Sequence, residues 1–129
     1  MDKYIEVRAT VRIPNEKIQD MITTAVEGGS HYWARFEFPD GWKEKYSSYA
    51  EIPFKNGEIQ VFDIETDELL GVLNQATIQT GLQLLADRKD LKGKQVPARH
   101  FKALATDNED AETADTFLQL CVMGEIVYG

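Results

Sequence analysis

The chain has a single cysteine, Cys121, and two histidines, His31 and His100. One thiol cannot close an internal disulfide, and this set cannot supply an ordinary four-ligand zinc site. Cys121 stands in the apolar run LQLCVMG, where a small buried hydrophobe is expected rather than a nucleophile. Long apolar runs are missing as well. None approaches the roughly 20 residues of a membrane span. The opening MDKYIEVRATV has no signal-peptide core, so a cytoplasmic location without membrane contact is the expectation. Positive charge is scarce: 14 Lys and Arg stand against 22 Asp and Glu, a net charge of −8. The imbalance is uneven. Residues 1–57 carry 8 basic and 9 acidic side chains, and residues 58–129 carry 6 and 13. That balance argues against direct nucleic-acid binding. The one basic cluster, Arg88, Lys89, Lys92, Lys94, Arg99 and Lys102, is interrupted by Asp87 and Asp90. It reads as a solvated helix end and loop. No phosphate-binding glycine loop, nucleophile turn or catalytic histidine spacing occurs. An enzyme is therefore not expected, and no cofactor or metal is implied.

The 129 residues are 43% hydrophobic and 10% aromatic, enough for one domain with one core. Tyr4 to Ile13 alternates strictly, with Ile5, Val7, Ala9, Val11 and Ile13 on one side, and predicts a half-buried strand. Pro14-Asn15 stops it, and Asn15 is the expected N-cap of a helix whose stripe is Ile18, Met21, Ile22 and Ala25. Gly28 and Gly29 close that helix, with positive φ expected at one of them. His31 to Phe38 alternates again, with Tyr32, Ala34, Phe36 and Phe38 on the apolar side and His31, Trp33, Arg35 and Glu37 opposite. Trp42 to Ala50 reads as a loop with a helical turn. Glu51 to Phe54 reads as a short edge strand at Pro53, and Asn56-Gly57 as a hairpin turn.

Glu58 to Glu65 and Leu69 to Leu73 complete a meander. Asn74 caps a helix to about Arg88, in which Gly81 marks close approach of another backbone. Pro97 opens a short helix to Ala105, placing His100 at the surface or its boundary. Asp110 caps a last helix to Met123, apolar nearly all round in its second half and hence central. Gly124 ends it, and a short tail follows. The fold class expected is α+β: one domain, residues 1–129, with a mainly antiparallel sheet on three or four helices. The first and last helices are expected on one face of that sheet.

Two segments, TTAVEGG-SHYW at Thr23 to Trp33 and DAETADTFLQL-MGEIVYG at Asp110 to Leu120 and Met123 to Gly129, resemble a family of small proteins encoded by bacteriophages and prophages. The helix–EGG–aromatic junction and the acidic helix with its Gly-Glu-aliphatic-Tyr-Gly tail recur there. The likeness covers most of the chain and implies an origin rather than an activity: a phage accessory protein acting inside a bacterial host.

The candidate site is the junction itself: Glu27, Gly28, Gly29, His31, Tyr32 and Trp33. Glycines admit a ligand to the backbone, and aromatic rings stack on flat groups. Trp33 with Arg35 could grip a nucleotide by stacking and charge; the bland alternative is a helix end with two core aromatics. Trp33 is expected to be solvent-accessible, facing a ligand, a second subunit or the Trp42–Tyr49 loop. Asp107, Glu109, Asp110, Glu112 and Asp115 resemble a cation site but lack the EF-hand spacing. Acids there also suit a helix N-terminus. Asp115 and Gln119, four apart beside a buried face, must either bond another element or line a pocket. Two readings follow. One is a module that sequesters a small nucleotide-type ligand to counter a host defence. The other is an acidic inhibitor of a host protein, DNA-mimicking or anti-CRISPR-like. Self-association is compatible with either.

Overall fold

A computed structural model describes residues 3–129. Met1 and Asp2, which open the segment read for a signal peptide, lie outside the described residues. The elements run α1 (Asn15–Thr24), β1 (Ala34–Glu37), α2 (Trp42–Lys45), β2 (Ile59–Asp63), β3 (Leu69–Leu73), α3 (Gln75–Asp87), α4 (Ala98–Ala105) and α5 (Ala111–Met123). A π-helical turn, Ala25–Gly29, extends α1, and a 3₁₀ segment, Tyr49–Lys55, precedes β2. The fold is α+β. Its sheet has three antiparallel strands in the order β1-β2-β3, with Ala34 opposite Asp63 and Ile59 opposite Leu73.

The centre is α5. Every residue from Thr113 to Cys121 is buried, because α3, α1, the π turn and β3 all pack on this one helix. Asp110 caps it by accepting from the Thr113 N–H, and Gly124 ends it at φ 75°. Asn74 caps α3 reciprocally with Thr77. Gly81 meets Cys121 so closely that a Cβ would overlap the sulfur and lie 3.0 Å from the Cys121 nitrogen. The helix α1 rests on α5 and on Tyr49–Lys55.

Four expectations are corrected. Tyr4 to Ile13 forms no strand: it has no regular secondary structure, its residues are exposed up to Arg12, and Ile5 is 92% exposed. Alternation alone cannot make a strand when no edge lies alongside to complete the ladder. Glu51–Phe54 is 3₁₀ helix, since Pro53 fixes a helix-compatible φ and buries itself with Ile52. Asn56 then takes φ 66°, so Asn-Gly ends a helix instead of turning a hairpin. Finally, Asn15 is the first residue of α1, with Pro14 in the cap position and no capping side chain.

Candidate functional site

Neither Gly28 nor Gly29 has positive φ. The chain stays helical through both, widening to i→i−5 bonding, with Ser30 N–H donating to the Ala25 carbonyl at 2.9 Å. Such π turns are uncommon and concentrate at functional sites. Gly29 is required by contact: a Cβ there would lie 2.9 Å from the Ala111 carbonyl oxygen. Gly28 faces open space. The junction thus sits directly on the first turn of α5.

Ser30 to Trp33 is a turn, with the amides of Trp33 and Ala34 both donating to the Ser30 carbonyl. Strand parity starts only at Ala34, so it does not govern Trp33. Trp33 is 2% exposed, against the expectation of an accessible ring. Its cover is none of the three partners expected. Tyr128 of the C-terminal tail stacks on it, ring centroids 4.8 Å apart and planes 10° apart. The Trp42–Tyr49 segment packs on Phe38 instead.

Asp115 ties these pieces together. It is 8% exposed. Its Oδ1 accepts from Ser30 Oγ and Trp33 Nε1, both at 2.7 Å, and its Oδ2 accepts from Tyr32 OH at 2.6 Å and Gln119 Nε2 at 3.1 Å. A buried carboxylate is tolerable only with such partners. Gln119 then holds the tail: its Nε2 donates to the Tyr128 carbonyl, and its Oε1 accepts the amides of Val127 and Tyr128. Tyr128 OH donates to Asp63 Oδ2 at 2.6 Å. Burial and the Asp115 carboxylate push the Tyr32 phenol up to about 12, and the Asp63 carboxylate pushes Tyr128 up to about 12.

Around this network lies an open concavity of about 820 Å³. Gly28, Gly29, Tyr32, Asp115 and Gln119 line it, as do Arg99, His100, Thr116 and Tyr128. Five of the residues singled out in the sequence therefore share one surface. The other four do not. Trp33 supports the floor from behind. Arg35 is on the sheet's outer face, bonded to Asp67 and Glu37 with its guanidinium 4.3 Å from the Phe62 ring centroid. A joint Trp33–Arg35 grip is thereby ruled out. Glu27 lies toward Tyr49, whose pKa is raised by burial and by the Glu27 charge. His31 is exposed and outside the concavity.

His100 is buried, not superficial. It is 2% exposed, with Nδ1 3.0 Å from Thr113 Oγ1 and Nε2 3.5 Å from Thr116 Oγ1. Burial and the neighbouring Arg99 charge lower its pKa, so it is neutral at neutral pH. Its signal in the sequence was its place four before Leu104, on the buried stripe of α4. Arg99 reaches across to Glu112, Nη2 to Oε1 2.5 Å. The acidic cluster is dispersed among these duties: Asp110 caps, Glu112 pairs with Arg99, Asp107 pairs with Lys17 and Asp115 is buried. Among the described residues, no three His, Cys, Asp or Glu side chains converge as a metal centre needs.

Thr23–Trp33 is in direct contact with Asp110–Leu120 and with the Met123–Gly129 tail, through Gly29 and Trp33 on one side and Ala111, Asp115 and Tyr128 on the other. Comparison with models of protein families, with curated proteins and with solved structures finds no match. Among the described residues, no helix is long and apolar enough to cross a membrane.

Proposed function

We propose that the protein is a binding module for a small, polar, partly planar ligand of nucleotide type, seated in the concavity between the π turn and the N-terminal turns of α4 and α5. The observation that carries this reading is a pre-formed floor. Asp115 and Gln119 are fully engaged with protein partners and hold Tyr32 and the tail in place without a ligand. Pre-organisation of this kind lowers the ordering cost of binding. Above the floor, the half-exposed Tyr32 ring offers a stacking surface, and Arg99 offers a cation held by one exposed carboxylate. A volume of about 820 Å³ admits a ligand of that size. The chemistry assigned to the site is binding: the His100 ring nitrogens are directed at Thr113 and Thr116, and Cys121 packs against Gly81 outside the lining. A phage accessory protein that sequesters a host signalling nucleotide fits this reading.

The acidic-inhibitor alternative rests on the charge of residues 58–129. The internal engagement of Asp107, Asp110, Glu112 and Asp115 leaves little of the cluster to imitate a phosphate backbone.

The test is mass spectrometry of small molecules released on denaturing protein purified from a bacterial host, together with thermal shifts against mono-, di- and cyclic nucleotides. A released or stabilising nucleotide whose effect disappears in Arg99→Ala, with the unliganded melting temperature kept, supports the reading. Absence of any released ligand and of any shift across the panel overturns it.

A further inference from the structure

The alternating arm at residues 4–13 is the element the fold leaves unused. Ile5 is 92% and Val7 82% exposed. Among the described residues, no backbone hydrogen bond involves residues 3–13. Within its own protomer the arm runs along a groove where Val11 and Ile13 face Ile78, Leu82 and Phe101, yet it stays largely in solvent. Five apolar residues at a strict period of two, rich in Ile and Val, are a strand sequence without a sheet.

The sheet has the matching vacancy. Its two outer strands differ. The β1 edge carries Arg35 and Glu37, the charges that discourage further pairing. The β3 edge reads Leu-Leu-Gly-Val-Leu, without charge or proline. Among the described residues, no backbone hydrogen bond outside the β2–β3 ladder involves Leu69 to Leu73. Leu69 is 48% exposed. Charge also agrees. The arm carries Arg8 and Arg12 against Glu6. The turn that leads into β3 carries Glu65, Asp67 and Glu68, and only Asp67 is in a salt bridge among the described residues.

We infer that the arm of one copy adds as a strand to the β3 edge of a second copy, making a reciprocal, arm-exchanged homodimer. Main-chain ladder bonds supply the affinity, and the Ile5–Val7–Val11 side sets which face the arm presents. The complementary strand belongs to the same polypeptide, so donor and acceptor are always present in equal number. The concavity is elsewhere, and its occupancy is a separate question.

The experiment is sedimentation of the full chain from ~1 μM to ~500 μM, with amide hydrogen exchange at both ends of that range. The expected result is a monomer–dimer equilibrium in which amides of residues 4–13 and 69–73 gain protection together as the dimer fills. Val7→Asp and Leu69→Lys, both at exposed positions, should each weaken the dimer at least ~10-fold and leave the monomer's melting temperature unchanged. A monomer throughout overturns the inference. So does a dimer in which the arm is protected and β3 is not, which would mean arm-to-arm pairing. A dimer indifferent to both substitutions overturns it as well.

Discussion

Trp33 donates its indole N–H to Asp115 across 82 positions of sequence, and that bond joins the helix–glycine junction to the central helix. The ring is buried as well as bonded, so the two contributions separate by substitution. Trp33→Ala should cost about 3–5 kcal/mol, the ordinary loss for a buried tryptophan. Trp33→Phe keeps most of the apolar contact with Tyr128 and loses the donor, at about 1–2 kcal/mol. Asp115→Ala removes the acceptor of Ser30, Tyr32 and Trp33 together and should cost on the order of 3 kcal/mol. A double-mutant cycle in urea between Trp33→Phe and Asp115→Asn should show non-additivity of about 1 kcal/mol. Strict additivity would show that the bond contributes nothing.

The adjacent glycines should behave oppositely. Gly28 is helical with free space beyond its Cα, so Gly28→Ala should stabilise by about 0.5–1 kcal/mol through helix propensity and a less flexible unfolded chain. Gly29→Ala must push its methyl group against the Ala111 carbonyl oxygen, and overpacking of this sort costs about 1–3 kcal/mol. Chemical denaturation of the two variants checks the sign of each.

The architecture around α5 was legible where local chemistry decides structure. Asn74, Asp110 and Gly124 announced helix ends because capping is a contact between near neighbours. Gly81 announced a close approach, and Asp115 with Gln119 announced a polar pair that must find partners. What could not be read was which partners. Whether an alternating stretch becomes a strand depends on an edge being present alongside it, and no local pattern encodes that for residues 4–13. Trp33 was misplaced for a related reason. The alternation of the sequence runs back through it, but the strand starts only at Ala34, and the ring that covers it comes from Tyr128, 95 positions away. The concavity was half legible: the glycine junction was visible as a motif, whereas Arg99, His100 and Thr116 reach it only through the packing of α4 on α5.

Cys121 and Gly81 give a separate handle on the core. The thiol is buried, and burial pushes its pKa well above the usual value. It should therefore resist a thiol reagent in the native state and react on unfolding. Gly81→Ala drives a methyl group into the Cys121 sulfur and backbone. That variant should lose about 1–3 kcal/mol and label faster under native conditions, as the α3–α5 contact opens. Rapid labelling of the unaltered protein would remove α5 from the core.

Stability should fall at both ends of the pH scale for different reasons. At the alkaline end, Tyr32 and Tyr128 have folded pKa values of about 12 against an ordinary 10.0, because burial and then Asp115 keep the Tyr32 phenol protonated and the bond to Asp63, with burial, does so for Tyr128. Raised folded values mean the contribution is complete below pH 10 and is lost as pH climbs through 12. At the acid side, His100 has a folded pKa below 6.5, because burial and Arg99 disfavour its cation. A lowered folded value means the contribution is complete above pH 6.5 and declines as pH falls below it toward the folded value. The carboxylates of Asp63, Asp110 and Glu112, lowered by their hydrogen bonds and by Arg99, add a further loss at lower pH. Thermal melts should therefore plateau between pH 6.5 and 10. Tyr128→Phe, which keeps the stack on Trp33 but not the bond to Asp63, should flatten part of the alkaline decline and, because that bond is the first cause of the lowered Asp63 pKa, part of the acid decline as well. Ultraviolet titration of the native protein should show Tyr32 and Tyr128 ionising well above the ordinary 10.0. If every phenol ionised near pH 10 while the protein stayed folded, the tail would not be held against Asp63 as described.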